Sequence, residues 1–329
     1  METLKKCPVF PMCGGCLYLD MPDEEYIHKK QNFVRRAFAD KGIDLPGDLP
    51  FVRIPFGSRR RACFAFYKGH VGFNAAKSHK IIDLDGCPAL VNPLSDLIGP
   101  LKKLVRVLKS SGDIYVLNTP VGVDMHIKMG KEKPGFELIE ALTEFAQNNP
   151  VVRLYFNDDP ILEKAPLPFK AGVFLQPSAE GEKALIDLLM SETAGVKTAV
   201  DLFCGTGTFT KPLIAAEIKA IGYDSEKDSV AGLGVDGVVR DLFRNPVTAA
   251  EIGAPDLIVI DPPRAGALAQ IEQIKDVQAR KIVMISCNPA TAARDAKALI
   301  DSGWKMQKIT LVDQFSYTNH IELFCVFER

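Results

Sequence analysis

Apolar residues along this chain follow two different periods, and the change from one to the other divides it. From Phe51 to Asp85 the runs are short, aromatic and alternating, as in "RACFAFYKGHVGF", which predicts antiparallel strands. "DIYVLNTP", "VDMHIKM" and "VVRLYFN" extend the pattern and predict three more strands. Helical spacing occurs at three places: residues 23–41 (Tyr26, Phe33, Val34, Ala37 and Phe38, stopped by Lys41-Gly42), residues 95–110 and residues 137–147. The first half is therefore expected to be α+β.

Near Phe169 the texture changes. "FKAGVFLQPS" leads into a predicted helix from Ala179 to Met190, and "KTAVDLFCGTGTFTKPLIAAEIKAIGYDSE" then reads as strand, glycine turn, helix, strand and acidic residue. "APDLIVIDPPRAG" and "RKIVMISCNP" each repeat an apolar strand that ends in a polar loop, and "ITLVDQFSYTNHIELFCVFER" closes with two strands. This alternation predicts a doubly wound α/β sheet, mostly parallel, with ligands at the carboxyl ends of its strands. The expected domains are residues 1–170 and 171–329.

The 329 residues are 47% hydrophobic and 25% charged, the balance of a globular chain that can bury two cores. No apolar run is long enough to span a membrane, and the first residues lack the apolar stretch of a signal peptide, so a cytoplasmic protein is expected; a monomer is the expected state, on which the sequence itself is silent. Lys and Arg number 40 against 41 Asp and Glu, which excludes a globally basic nucleic-acid coat but leaves room for local patches. One such patch is "FGSRRRACFAFYKGHVGF", where Arg59, Arg60, Arg61, Lys68 and His70 stand among Phe56, Phe64, Phe66, Tyr67 and Phe73. It reads either as the solvated edge of an aromatic strand pair or as a surface that contacts phosphates and stacks bases of RNA. Three of the eight cysteines, Cys7, Cys13 and Cys16, fall close together; in a reducing compartment that grouping points to metal or catalysis before disulfides.

In "VDLFCGTGTFT", Gly205 and Gly207 follow a strand and open a helix, a turn over which a ligand can approach the backbone. The third glycine of a dinucleotide fingerprint would fall at Thr210, so pyrophosphate binding in that geometry is not supported. Asp224, at the end of the next strand, is placed to accept hydrogen bonds from ribose hydroxyls, and Asp201 adds a second carboxylate. Acidic groups around such a turn repel phosphates and suit the sulfonium and amine of S-adenosyl-L-methionine. In "DPPR" two prolines stiffen a strand-end loop that leaves Asp261 at the cofactor edge. Arg264 stands where methyltransferases acting on exocyclic amines carry an aromatic residue, which counts against that chemistry.

Cys287 lies on the lip of the sheet, between a buried strand and an Asn288-Pro289 helix start. A thiol there is either a small core filler or a nucleophile. Beside a methyl-donor pocket, a nucleophilic thiol suits methylation of a carbon too unreactive to attack unaided, such as carbon 5 of a pyrimidine. Addition of sulfur to carbon 6 activates carbon 5, and a base must then remove the carbon 5 proton; Glu322 in "NHIELF" fits that base. The target base would have to leave its stack to reach the pocket.

Together these segments resemble the RNA uracil-5-methyltransferase family. "DLFCGTGTF", "DPPRAG", "SCNPATAARD" and "HIE" are similar to its signature segments in the same order, "FLQP" to its donor-binding F-x-Q element, and "CPVFPMCGGC" with "DLDGCPAL" to its iron–sulfur cysteines. The resemblance implies a Rossmann-like S-adenosylmethionine-dependent methyltransferase domain, with Cys287 as nucleophile and Glu322 as base. It implies that Gln176, Phe203, Thr208, Asp224, Asp241 and Asp261, with the Gly205 turn, line the donor site, and that Cys7, Cys13, Cys16 and Cys87 hold a 4Fe-4S cluster. The residues alone leave zinc open as an occupant of four thiolates. Larger members of the family carry an N-terminal RNA-binding β-barrel, which is not expected here, and its tRNA-modifying members generally lack the cluster, which favours 23S rRNA. The helix at 23–41 is expected to pack on the catalytic half. The segment from Asp224 to Asp241 is shorter than is usual in the family. Methylation of tRNA uridine or RNA cytosine, and a non-catalytic iron–sulfur RNA-binding protein, are the competing readings.

Overall fold

The computed structural model describes residues 7–108, 110–130, 133–234 and 236–329; the six leading residues read above for a signal peptide lie outside them. The chain runs through α1 (Asp23–Ala39), β1 (Phe51–Arg53), β2 (Arg61–Tyr67), β3 (His70–Asn74), β4 (Ile81–Asp83), α2 (Asn92–Asp96), α3 (Ile98–Leu108) and β5 (Ser111–Thr119). It continues with β6 (Gly122–Lys128), α4 (Phe136–Asn148), β7 (Val151–Phe156), β8 (Asp159–Glu163), α5 (Ala179–Ser191), β9 (Thr198–Leu202) and α6 (Thr210–Ala215). Then follow β10 (Lys219–Asp224), α7 (Lys227–Ala231), β11 (Gly237–Val239), α8 (Ala249–Ile252), β12 (Leu257–Ile260), α9 (Leu268–Ile274), β13 (Lys281–Ser286), α10 (Pro289–Asp301), β14 (Lys305–Asp313) and β15 (Glu322–Glu328).

Two compact units result. One comprises Met1–Met21, Pro55–Ala179 and Phe315–Thr318; the other comprises Pro22–Ile54, Glu180–Gln314 and Asn319–Arg329. The first unit is built on a sheet of order β4-β3-β2-β5-β6-β7-β8, antiparallel except for the parallel pair β6 and β7. Alternate residues of its strands, among them Phe64, Phe66, Ile114, Val116, Met125, Ile127 and Leu154, are buried with Leu101, Leu104, Val105 and Leu142 of α3 and α4. The intervening positions point to the opposite face, as strand alternation requires. There Cys63, Tyr115, His126 and Tyr155 pair in one row across β2, β5, β6 and β7.

The second unit is a Rossmann-like sheet of order β1-β14-β15-β13-β12-β9-β10-β11, parallel except for β15. Its strands are apolar on both faces because helices cover both. Ile282 and Met284 of β13 pack with residues of α1, α9 and α10, while Val283 and Ile285 pack with Leu185, Leu189 and Leu213 of α5 and α6. The continuous run "IVMI" is thus a period-two strand with two buried sides, the pattern of a covered parallel sheet.

Three elements differ from the sequence expectation. β1, expected among the antiparallel strands, instead pairs in parallel with β14, Phe51 beside Leu311, at the edge of the second sheet. β8 had no apolar run to announce it, because it is a half-exposed edge strand. The helix expected near residues 95–110 is two helices meeting at Leu97; of that span, residue 109 lies outside the described residues. No helix among the described residues is long and apolar enough to cross a membrane.

Candidate active site

The carboxyl ends of β12, β13 and β15 converge in the second unit. Ile260 is level with Met284 in the parallel pair, and Ser286 is opposite Leu323 in the antiparallel pair. Continuing that register by one residue sets Cys287 across from Glu322, with Asp261 one strand away. The antiparallel direction of β15 is what brings an N-terminal strand residue, Glu322, to an edge otherwise built from carboxyl ends.

These three side chains perturb one another. Glu322 is 5% exposed, and burial pushes its carboxyl up to about 7 against the opposing hydrogen bond from the Gln314 side chain. Burial and then the charge of Glu322 push Asp261 up to about 8. Cys287 is half-buried; burial, Glu322 and Asp261 push its thiol up to about 11, while Arg264 pulls the other way. Two buried acids thus stand beside a half-buried thiol whose ionised form burial and their charges disfavour, the kind of clustering that marks candidate reactive sites.

The loop after β12 is fastened to the start of α10. Asn288 caps α10, its Oδ1 accepting from the Ala290 amide, and its Nδ2 donates to the Arg264 carbonyl at 3.0 Å. Asp295, 1% exposed, accepts from the Ala267 amide at 2.7 Å and from Arg294, whose guanidinium also reaches the Ala265 carbonyl. Asn288 was legible as a helix start. The Arg294–Asp295 clamp had no signal in the sequence, since a charged pair in a helix ordinarily reads as its solvated face.

The glycine turn lies after β9. Phe203, Gly205 and Gly207 take φ of +64°, +53° and +88°, left-handed values that cost glycine little but strain phenylalanine. No heavy atom lies within 4 Å of where a Cβ on Gly205 would project, so the turn opens onto space. The Gly205 amide donates to Asp224 Oδ2 and the Glu226 amide to Asp224 Oδ1, both at 2.9 Å, which fixes the carboxylate while leaving lone pairs on both oxygens. Asp201 is fully buried; one oxygen accepts from Thr210 Oγ1 at 2.6 Å, and Oδ1 has no hydrogen-bond partner among the described residues. Burial pushes this carboxyl up to about 7. Thr208 lies in the same turn, partly buried. Asp241 accepts from the Phe243 and Arg244 amides just past β11, the strand beside β10. Phe243 was not anticipated: its ring stands 5.3 Å from that of Phe203 and is 47% exposed. Between Asp224 and Asp241 the only helix among the described residues is the five-residue α7, as the shortness of that segment foretold.

Gln176 belongs to the first unit, where it is buried and its carbonyl accepts from Arg60 Nε at 2.9 Å. The arginines of the expected basic patch make backbone contacts there. Arg59, Arg60 and Arg61 donate to the carbonyls of Ser316, Gln176 and Leu175, because irregular chain leaves carbonyls that guanidinium groups satisfy. Phe64 and Phe66 are core residues. What remains exposed is Tyr67, Lys68 and His70, together with Tyr115 and Lys128, whose Nζ lies 5.6 Å from the Tyr115 ring centroid.

Cys7, Cys13, Cys16 and Cys87 share one neighbourhood. Burial raises the Cys13, Cys16 and Cys87 thiols, Cys16 to about 11, and all three also feel Cys7. The Gly15 amide donates to Cys13 Sγ at 3.4 Å. Among the described residues, however, no group of three or more His, Cys, Asp or Glu is gathered closely enough to hold a metal ion.

Comparison with known proteins gives the same picture. Residues 247–329 match the family model described as tRNA (Uracil-5-)-methyltransferase. An uncharacterized RNA methyltransferase of Caulobacter vibrioides is 32% identical over 355 residues, covering 98% of this chain and 85% of the relative. A 23S rRNA (uracil(1939)-C(5))-methyltransferase of Shewanella woodyi is 30% identical over 362 residues, covering 98% and 81%. In fold, the chain is similar to the Pyrococcus abyssi tRNA (uracil-54, C5)-methyltransferase solved with S-adenosyl-L-homocysteine, with a TM-score of 0.73, 21% identity and coverage of 96% and 86%. With the motifs, the sheet and full-length relatives in agreement, the chain belongs to the RNA (uracil-5-)-methyltransferase family.

Proposed function

We propose that this protein methylates carbon 5 of a uridine in 23S rRNA, using S-adenosylmethionine and a transient bond between Cys287 and carbon 6 of the ring. The observation that carries the reading is the register of β13 and β15, which sets a thiol across from a carboxyl that titrates near neutrality. In this reading Cys287 adds to carbon 6, and the electrons of the ring double bond move toward carbon 5 and the neighbouring carbonyl. Carbon 5 takes the methyl that the donor would supply, Glu322 removes the proton left on carbon 5, and the carbon–sulfur bond breaks as the ring double bond re-forms, the sulfur regaining from solvent the proton it lost on adding to the ring.

S-adenosylmethionine, when bound, supplies a methyl group on a positively charged sulfur. The residues fit it: Asp224 holds lone pairs beside an open glycine turn, and the unsatisfied Asp201 Oδ1 suits an amine donor. Phe203, Thr208, Asp241 and Asp261 complete the donor set in this reading, with Gln176 carried over from the F-x-Q resemblance. The four thiols at Cys7, Cys13, Cys16 and Cys87 are the number and type that a 4Fe-4S cluster takes, and their mutual influence supports a shared ligand. The cluster's part here is to cross-link the chain, because the methylation moves no electron. Tyr67, Tyr115 and Lys128 give the first unit an aromatic and cationic face suited to unstacked bases. The ribosomal substrate rests on the Shewanella woodyi relative.

The test is mass spectrometry of nucleosides from 23S rRNA and tRNA transcripts incubated with protein and donor. 5-Methyluridine in the ribosomal transcript is expected. 5-Methylcytidine, or a product in tRNA alone, would overturn the assigned base or substrate.

A further inference from the structure

The candidate base is held by a group that no part of the proposed reaction uses. Gln314 follows β14 and is 1% exposed, and its side-chain amide donates to the Glu322 carboxyl. Its place is made by a glycine inside a helix. A Cβ on Gly181 of α5 would lie 2.6 Å from Gln314 Oε1 and 2.8 Å from Gln314 Cβ, so no other residue fits there without displacing the amide. Gly181 stands in the first turn of α5, and the space its missing side chain leaves is taken by Gln314.

The preceding residue, Asp313, is pinned from α1. Lys30 Nζ and Tyr26 Oη each donate to its carboxylate at 2.6 Å, and the Lys30 and Asp313 side chains are 2% and 0% exposed. Lys30 Nζ donates as well to the carbonyl of His320, two residues before Glu322. One lysine therefore ties the end of β14, which carries Gln314, to the approach to β15, which carries Glu322. A buried ion pair is weak evidence for stability, because apolar residues of the same shape commonly do as well. Its value here is that it fixes two chain ends against each other.

From this geometry we infer that Gln314 is a positioning residue: wedged against Gly181, it aims the Glu322 carboxylate, while the Lys30–Asp313–Tyr26 cluster holds the backbone on which both depend. The inference rests on Glu322 being the base. The groups facing Glu322 are Asp261 after β12, Cys287 after β13 and, from the end of β14, Gln314 beside the ion-paired Asp313. A substitution at 314 leaves the others in place.

The test uses the full chain and a 23S rRNA transcript tritiated at uridine carbon 5. Tritium release reports proton removal, and a denaturing gel reports the adduct, both across pH, for wild type, Gln314→Leu and Gln314→Glu. Loss of the donor should move the release midpoint about one pH unit toward alkaline, with release about tenfold slower at neutral pH, adduct accumulating and adduct formation unchanged. Gln314→Glu keeps the volume and should move the midpoint the same way or further. An unmoved midpoint, or formation and release that fall together at every pH, would overturn the inference. Glu322→Gln run alongside separates the two ideas: normal turnover there removes the base assignment, whereas a trapped adduct there with an unmoved midpoint in Gln314→Leu removes only the role of Gln314.

Discussion

Cys287 stands one residue past Ser286 and Glu322 one residue before Leu323, and Ser286 and Leu323 are partners in an antiparallel pair. The register of the two strands thus carries the first residue past β13, a thiol, toward the first residue of β15, a carboxyl.

Replacing Glu322 by Gln keeps the shape and removes the base. The expected outcome is that the carbon–sulfur bond still forms and carbon 5 is methylated once, while product release slows by about 10²- to 10⁴-fold, the usual contribution of general base catalysis. Multiple-turnover methylation with intact protein–RNA adducts on a denaturing gel checks it. Wild-type turnover in the variant would remove Glu322 from its assigned role.

Burial raises the Asp201, Asp261 and Glu322 carboxyls to about 7, about 8 and about 7. For an acid whose value in the fold lies above its value in the unfolded chain, the unfolded chain loses its proton first as pH rises. The stability present below the unfolded values, near 4, is therefore lost as pH climbs through 7 to 8. The melting temperature of the ligand-free protein should fall between pH 5 and pH 8, and Asp201→Asn should flatten the fall. A melting temperature that rises over this range would contradict the assignment of neutral buried carboxyls.

Asp224 is held by two backbone amides with acceptor capacity to spare. Removing it in Asp224→Ala should weaken binding of S-adenosylhomocysteine by about tenfold or more, the scale of a hydrogen bond to a charged group. Calorimetry measures this directly. An unchanged dissociation constant would move the donor site elsewhere.

Much of this site was legible in the sequence, because parallel strands announce themselves as apolar runs and the chemistry follows their ends. Cys287, Asp261 and Asp224 each come directly after such a run or close it, and Asn288-Pro289 marks a helix start. Glu322 was visible only through chemical need and resemblance, since its place depends on β15 running against its neighbours. Lys30, Gly181 and Gln314 gave no sign: a lysine in an amphipathic helix, a helical glycine and a polar residue after a strand have ordinary surface readings. Their burial comes from pairings far apart in the chain, such as Lys30 with Asp313. The arginines of residues 59–61 each donate to a carbonyl of the fold, an internal role that their charge in the sequence does not announce.

If Cys7, Cys13, Cys16 and Cys87 hold the proposed cluster, the protein prepared without oxygen should contain iron and sulfide. Changing Cys16 or Cys87 to Ala should remove most of both and lower the melting temperature, as removal of a cross-link does. Zinc in place of iron in the anaerobic protein, by elemental analysis, would contradict the cluster.

The most direct measurement uses RNA containing 5-fluorouridine, in which carbon 5 carries no removable proton. Incubated with the protein and S-adenosylmethionine, it should give a covalent complex stable on a denaturing gel, with the mass of protein, RNA and one methyl group, and mapped by digestion to the peptide carrying Cys287. Cys287→Ala should give none. Absence of the complex with the wild-type protein and a methylatable transcript, or its persistence in Cys287→Ala, would contradict the account.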